Sequence, residues 1–471
     1  MNSRPRSSLP RPVGRRLREI VGSRGLILKP DRLLAYESDA LTQLRGAPLA
    51  AVFPTSTTQL RESVACLHEA GIPFVPRGAG TGLAGGAVAR REVLVCTTRM
   101  NRILELIPED RLARAQPGVQ TGALTEAAAP HGLRYLPDPA SAAACTIGGN
   151  VAQNAGGPHC LKHGVTTDHV LELLVVLPDG TPRCFGRGED GGLDLAGLFV
   201  GSEGTLGIAA EITVRLFPRA PAVRTALILF DRLADAGRAV SEILAAGYLP
   251  VALELIDRAT IRIVEGSPYA AGLPTDVAAA LVVEFEGEEE GTEADLLGAA
   301  EAARRCGARE LRIARDEAER ERVWRARKRA YGALGRRAPE VMIQDAAVPR
   351  TALTALLPRI QAIAKRHGVE VCNFFHAGDG NLHPNLPLDR RDPELVKRVE
   401  RANREILALC VEAGGTITGE HGVGLDKREA MRLIFSPAEL SALRAVKEAL
   451  DPRGLCNAGK VIPSETAAAP R

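Results

Sequence analysis

From about residue 50 the chain alternates between the two periodicities of strand and helix. AVFPTSTTQLRESVACLHEAG reads as a short strand followed by a helix. Ser56 and Gln59 stand in capping-box spacing, Leu60, Val64 and Leu67 fall on one face, and Gly71 terminates it. IPFVP is a strand that runs straight into PRGAGTGLAGGA, residues 76–87, with five glycines in twelve positions. REVLVCTT then alternates in the manner of another strand. From about residue 222 the pattern changes. RTALILFD (strand), RLADAGRAVSEILAAG (helix), VALELID and AALVVEFEG (strands), an Ala-rich helix from Glu293 to Cys306 and ELRIARD (strand) follow in that order. This is the β-α-β-β-α-β succession of a ferredoxin-like unit. The proline-bearing stretch FPRAPAVR, 217–224, marks a domain boundary before it.

Composition adds bounds rather than identity. At 471 residues the chain is too long for one core, so two or three domains are expected. Its apolar fraction of 45% is ordinary for a globular protein, and a net charge of +3 with no basic stripe interleaved with aromatics excludes a nucleic-acid binder. Nine cysteines stand singly with no C-x-x-C pair, which points to reduced thiols in a cytoplasmic compartment and excludes an iron–sulfur centre in this chain. No stretch approaches 18 uncharged apolar residues, so no transmembrane segment is expected. The N-terminus, MNSRPRSSLPRPVGRRLREI, has no apolar run for a secretory signal; 1–29 is expected to be a basic tail or helix, and its prolines favour a loose tail.

Within the glycine stretch, Gly80-Thr81-Gly82-Leu83-Ala84-Gly85 spells G-x-G-x-x-G. A dinucleotide fingerprint of the Rossmann kind must open a helix, whose N-terminal amides hold the pyrophosphate. Here a strand follows, so that reading fails, and no G-K-[ST] follows to make a P-loop. SAAACTIGGNVAQNAGG (141–157) and GSEGTLGI (201–208) repeat the same small-residue composition beside strand-like runs. Three such segments predict a long ligand threaded along backbone amides, with glycine allowing close approach and a nest for a diphosphate laid across loops.

The stretch CNFFHAGDGNLHPNL, 372–386, carries the sharpest chemistry. Asp379-Gly380 reads as a two-residue type I′ turn, which would pair Gly378 with Asn381, Ala377 with Leu382 and His376 with His383. The two imidazoles would then share one face, as two ligands of an open metal site. In GGTITGEHGVG, 414–424, Glu420 and His421 offer a hard ligand and a base near neutral pKa. An extended segment would point them oppositely, one toward a metal and the other toward a substrate. Two histidines and a carboxylate suit Zn, Mn or Fe. Trp324 and Arg327, one helical turn apart in RVWRARKRAYGALGRR, make Arg327 a candidate for bidentate carboxylate binding. Asn457 and Lys460, in the turn DPRGLCNAGKVIP, are further candidates.

Taken in order, PRGAGTGLAGGA, TIGGNVAQNAGG, GSEGTLGI, HAGDGNLHP, TGEHGVG and DPRGLCNAGK resemble the FAD-linked 2-hydroxyacid dehydrogenases, the group that includes glycolate oxidase flavin subunits and D-lactate and D-2-hydroxyglutarate dehydrogenases. The resemblance runs from about residue 30 to 463. It implies an α+β, two-domain flavoprotein of the vanillyl-alcohol oxidase / para-cresol methylhydroxylase (PCMH) type. The FAD-binding domain would span 30–220 and a ferredoxin-like, antiparallel-sheet substrate domain 221–445. A C-terminal segment at 446–465 would return to the flavin, and a disordered tail would cover 466–471. FAD contacts are implied at Pro76, Arg77, Gly78, Ala79, Gly80, Thr81 and Gly82 around the pyrophosphate. Further contacts are implied at Ser141, Thr146, Gly148, Gly149, Asn150, Ala152 and Asn154, and at Glu203, Gly204, Gly207, Ile208 and Asn457. By the same resemblance His376, His383 and Glu420 are the metal ligands, His421 the catalytic base and Arg327 the substrate carboxylate clamp. The 2-hydroxyglutarate branch carries a lysine for the distal carboxylate on a strand that here reads VMIQDAAVP, with Ile343 at that place. The implied reaction is therefore oxidation of a small D-2-hydroxy acid, glycolate or D-lactate, with D-2-hydroxyglutarate as the alternative. A redox-neutral FAD transferase of the alkyl-dihydroxyacetonephosphate synthase type is the other alternative. No histidine stands where some relatives attach the flavin, so FAD is expected to be non-covalent. The chain is expected to be a homo-oligomer or one subunit of a complex, peripheral at the inner membrane if membrane-associated at all. A partner flavoprotein and iron–sulfur subunits, or another acceptor, would take its electrons.

Overall fold

The computed structural model describes residues 8–186 and 192–465; residues 1–7 of the basic segment and the tail expected at 466–471 lie outside the described residues. The chain is α+β and forms two compact units. One comprises the residues up to Gly156, Val165–Arg219 and Glu420 onward; the other comprises Gly157–Gly164 and Ala220–Gly419. Residues 420–445, read from the sequence with the second domain, belong to the first unit.

The first unit holds two larger sheets and a two-stranded ribbon of Leu133–Arg134 with Phe217–Pro218. In one, Leu26–Ile27, Ala50–Val52, Val93–Cys96 and Phe74–Arg77 lie side by side in that order. Phe74–Arg77 and Val93–Cys96 are parallel neighbours, so residues 78–92 must cross over between them. A parallel crossover is usually a helix; this one is the glycine loop, as the strand signal after Gly86 predicts. The other sheet is antiparallel, in the order Ile103–Ile107, Leu112–Ala115, Ile208–Arg215, Val170–Val176, Pro182–Gly186.

Of the two forms expected for the N-terminal segment, tail or helix, the described part takes the helical one rather than the loose tail that its prolines favour. Arg11–Val21 is a helix that buries Leu17, Ile20 and Val21 in the core with Leu60, Val64, Leu67 and Phe74. Pro12 sits in its first turn, where the missing N–H is one the helix could not use anyway. Each wholly buried Leu in that core contributes roughly 1.5–3 kcal/mol, which outweighs the composition argument for a tail. A second difference lies at Ile147–Gln153, a short helix inside a segment read as loop. Thr146 caps it by accepting from the Gly149 amide, and Gly148 lets it lie against Pro117, where a Cβ would come within 2.5 Å of the proline.

The second unit contains the expected ferredoxin-like sheet. Strands Ala222–Phe230, Ala252–Asp257, Ala279–Gly287 and Ala308–Ile313 alternate with helices Leu233–Ala245 and Glu289–Arg305. Spatially the fourth strand lies beside the first, then come the third and the second, every pair antiparallel. An additional helix, Arg258–Glu265, stands between the second and third strands, capped by Asp257. Beyond the second strand the sheet continues into Cys372–His376, so the histidine hairpin is a direct extension of the ferredoxin-like core.

Candidate active site

In the first unit the three glycine-rich segments converge on one cavity, with about 1320 Å³ of space partly open to solvent. Its walls include residues 76–83, Ser141, Thr146, Gly148, Gly149, Asn150, Ala152, Glu203, Gly204, Gly207 and Ile208. The strand Phe74–Arg77 delivers the chain into it. Gly80 has φ +77° and a Cβ there would collide with the Arg77 guanidinium, while a Cβ on Gly78 would stand 2.6 Å from Thr146 Oγ1. Arg77 itself is spent beneath the loop, donating to the carbonyls of Ser38 (2.9 Å) and Ala87 (3.1 Å). Among the described residues no protein acceptor takes the backbone N–H of Gly78, Ala79, Gly80, Thr81 or Gly82. Five successive amides on a half-exposed loop form the donor array a diphosphate requires.

Asn154 and Asn457, expected as cofactor contacts, are not in the cavity lining and brace it instead. Asn154 ends the helix Ile147–Gln153 in the left-handed conformation and accepts from the Thr167 amide. Asn457 Nδ2 donates to the carbonyls of Gly86 (3.2 Å) and Glu203 (2.7 Å), and Lys460 Nζ donates to those of Gly86 and Val88 (2.7 Å each). Burial brings the Lys460 ammonium down to about 8. The C-terminal segment thus returns to the glycine loop, running parallel to Phe74 through its bonds with Leu455 and Asn457.

Glu420 and His421 also line this cavity, with 4.0 Å between Glu420 Oε1 and His421 Nε2. The segment is bent rather than extended, so the expected opposition of the two side chains does not hold. Glu203 holds the bent segment. Its Oε1 accepts from the Val423 amide (2.6 Å) and its Oε2 from the Gly424 amide (2.8 Å), and a Cβ on Gly422 would lie 2.8 Å from that carboxylate. Glu203 is itself left-handed at φ +53°, a conformation disfavoured for a side-chain-bearing residue. Burial, opposed by those amides, Lys460 and Lys427, raises its pKa to about 6. A raised carboxylate pKa adds stability that is complete below about 4.5 and lost as pH rises through about 6. Denaturant titrations followed by flavin fluorescence should therefore show wild type losing on the order of 2 kcal/mol relative to Glu203→Gln between those pH values. Parallel pH curves for the two proteins would contradict this.

In the second unit the expected hairpin is present with a different register. His376 pairs with Asn381, Asn373 with Pro384 and Cys372 with Asn385. The loop is therefore Ala377–Gly380, two residues longer than the Asp-Gly turn implies. Gly380 serves a different purpose: its carbonyl accepts from Val348 N, in an approach too close for any side chain. A shift of two preserves the face, so His376 and His383 become diagonal neighbours with ring centroids 5.3 Å apart.

Behind them stands Glu254, wholly buried and paired across the ladder with His376. Its Oε1 lies 2.6 Å from His376 Nδ1 and its Oε2 accepts from Arg327 Nε at 2.5 Å. Burial alone would raise this carboxyl; the charges of Arg327 and His376 overcome it and hold the pKa below the usual range. Arg327 is delivered by helix Glu317–Lys328, which Trp324 pins to the sheet by donating Nε1 to Glu284 (2.6 Å). The guanidinium lies over Phe374 at 5.4 Å, and among the described residues neither Nη makes a protein hydrogen bond. Asp345 accepts from Thr418 Oγ1 (2.6 Å) and the Gly419 amide (3.0 Å), and lies 3.8 Å from His383 Nδ1.

Glu254, Asp345 and the bracing role of Glu203 were not foreseen. A signal existed for the first two: each is an acid inside an apolar strand run, VALELID and VMIQDAAV, and such an acid is seldom buried without a partner.

Two family profiles match the chain: FAD binding domain over residues 48–185, and FAD linked oxidases, C-terminal domain, over 219–461. Glycolate oxidase subunit GlcD of Escherichia coli (strain K12) is 42% identical over 451 residues, covering 95% of this chain and 90% of that protein. D-lactate dehydrogenase of Archaeoglobus fulgidus is 34% identical over 438 residues, covering 91% and 95%. Among solved structures, p-cresol methylhydroxylase with substrate bound superposes with a TM-score of 0.81 at 17% identity, covering 97% of each chain, a likeness of fold.

Proposed function

This chain belongs to the FAD-linked 2-hydroxyacid dehydrogenase family and is an FAD-dependent oxidoreductase, and from that premise we propose that it oxidises a small D-2-hydroxy acid, glycolate or D-lactate, to the 2-oxo acid. The observation that carries the reading of a hydroxy-acid substrate is Arg327, held at Nε by Glu254, with neither terminal nitrogen bonded to a protein acceptor among the described residues. A guanidinium fixed at one edge offers the other to a single carboxylate. Phe374, under the guanidinium, belongs to an apolar cluster against which Ile343 also packs, which favours a short substrate over one with a second carboxylate.

FAD would be held by the amides of residues 78–82 and the walls of the first unit's cavity, without a covalent link. When bound it would supply a two-electron acceptor for the oxidation, with the α-hydrogen leaving as hydride. A divalent cation (Zn, Mn or Fe) would be held by His376, His383 and Glu420, a donor set of two imidazoles and one carboxylate that fits such ions, and would supply Lewis acidity toward the substrate hydroxyl. With Glu254 at Nδ1 of His376, Nε2 is the nitrogen for that task. His421 takes the hydroxyl proton, and Arg327 orients the acid so that hydroxyl and α-hydrogen meet their acceptors together.

Among the described residues no disulfide joins any of the nine cysteines, and no described helix is long and apolar enough to cross a membrane. The thiols support a cytoplasmic site of action. The Escherichia coli relative is named as a subunit, which supports transfer of electrons to partner proteins. In steady-state assays with an artificial electron acceptor, kcat/KM for glycolate or D-lactate should exceed that for D-2-hydroxyglutarate by at least about tenfold. The reverse preference would contradict the proposal.

A further inference from the structure

We infer that Glu254 is a positioning residue that ties the substrate clamp to the metal-ligating histidine, so that neither Arg327 nor His376 can be displaced without disturbing the other. The inference rests on the proposed roles of those two residues. Its own support is geometric. Glu254 is wholly buried on the central strand Ala252–Asp257, and each of its oxygens is committed to a different element. Oε2 takes Arg327 Nε from the helix Glu317–Lys328, and Oε1 takes His376 Nδ1 from the strand Cys372–His376. The His376 side is fixed by the ladder, where Glu254 and His376 are directly opposite. The Arg327 side is fixed by the docking of its helix through Trp324 and Glu284.

A carboxylate in an apolar strand is costly unless both oxygens are matched, and sheet packing alone would be served by Val or Leu. What the carboxylate adds is a link of fixed length between two groups that must address the same small molecule. A carboxylate on the far nitrogen of a ligating imidazole sets the tautomer and ring angle, and loss of such a partner typically weakens metal binding 10–100-fold. At Arg327 the same carboxylate fixes the guanidinium plane by its Nε edge. Gln in its place has one acceptor oxygen and one NH2 donor, so it satisfies one partner and turns a donor toward the other. Asp, one methylene shorter, does not span both.

The test uses FAD-containing protein stripped of metal, titrated with Zn²⁺ by calorimetry, and the Zn²⁺-replete protein titrated anaerobically with glycolate. Glu254→Gln should weaken Zn²⁺ binding by about 10–100-fold and raise the glycolate dissociation constant by at least about tenfold, with FAD content unchanged. Glu254→Asp should impair at least one of the two constants. It decides the matter by the same criteria if the Gln variant does not fold. Either folded variant keeping both constants within about threefold of wild type would overturn the inference. Arg327→Ala and His383→Ala, measured in parallel, separate the causes. If they shift the glycolate and Zn²⁺ constants while the Glu254 variants do not, the link falls and the proposed site stands. If they too leave both constants unchanged, the site assignments fall and the link falls with them.

Discussion

Replacing His421 by Ala should slow anaerobic flavin reduction by roughly 10²–10⁴-fold while leaving FAD bound. The rate should fall because His421, the imidazole of the GEHG segment that lines the cavity, is the proposed acceptor of the hydroxyl proton. FAD should stay because the donors suited to its diphosphate are backbone amides of residues 78–82, and the cavity walls near them do not depend on an imidazole. Stopped-flow absorbance gives the limiting rate, and the visible spectrum of the purified variant gives flavin content. His421→Asn, closer in shape, should be similarly slow. Flavin reduction at the wild-type rate in either variant would remove His421 from the mechanism.

Arg327 variants should separate charge from geometry. Arg327→Lys keeps a cation but loses the planar fork, so it can neither hold Glu254 through an Nε–H nor grip a carboxylate with two parallel bonds. The dissociation constant for glycolate should rise by at least about tenfold, with a smaller change in limiting rate. Arg327→Ala goes further, because it strands a wholly buried carboxylate with His376 as its remaining partner. Breaking such a pair costs about 3–5 kcal/mol, so the melting temperature should drop as well. A glycolate constant unchanged in Arg327→Lys would move the clamp to another residue.

Much of this architecture was legible before any coordinates. The ferredoxin-like succession was readable because each strand is a compact apolar run and each helix carries its own stripe and stop, all local information. The glycine loop was readable because a strand, not a helix, follows it. The histidine hairpin shows the limit. Its register was misjudged by two positions, since Gly380 answers to Val348, a partner the local sequence does not name. The shared face of His376 and His383 survived because strand geometry has a period of two. The prolines argue against the helix Arg11–Val21, whose reason to exist is a core that includes distant residues such as Leu60, Phe74 and Leu455. Glu254 and Glu203 were illegible as partners for the same reason: their acceptor oxygens serve groups more than 70 residues away.

The central claim, that this flavoprotein takes electrons from a small 2-hydroxy acid, is tested most directly without any electron acceptor present. Purified, metal-replete protein is mixed anaerobically with glycolate, D-lactate, L-lactate and D-2-hydroxyglutarate in turn, and the flavin's visible band is followed. Rapid bleaching by glycolate or D-lactate, with little by L-lactate or D-2-hydroxyglutarate, is the expected result. A band that stays oxidised with all four acids would contradict the account.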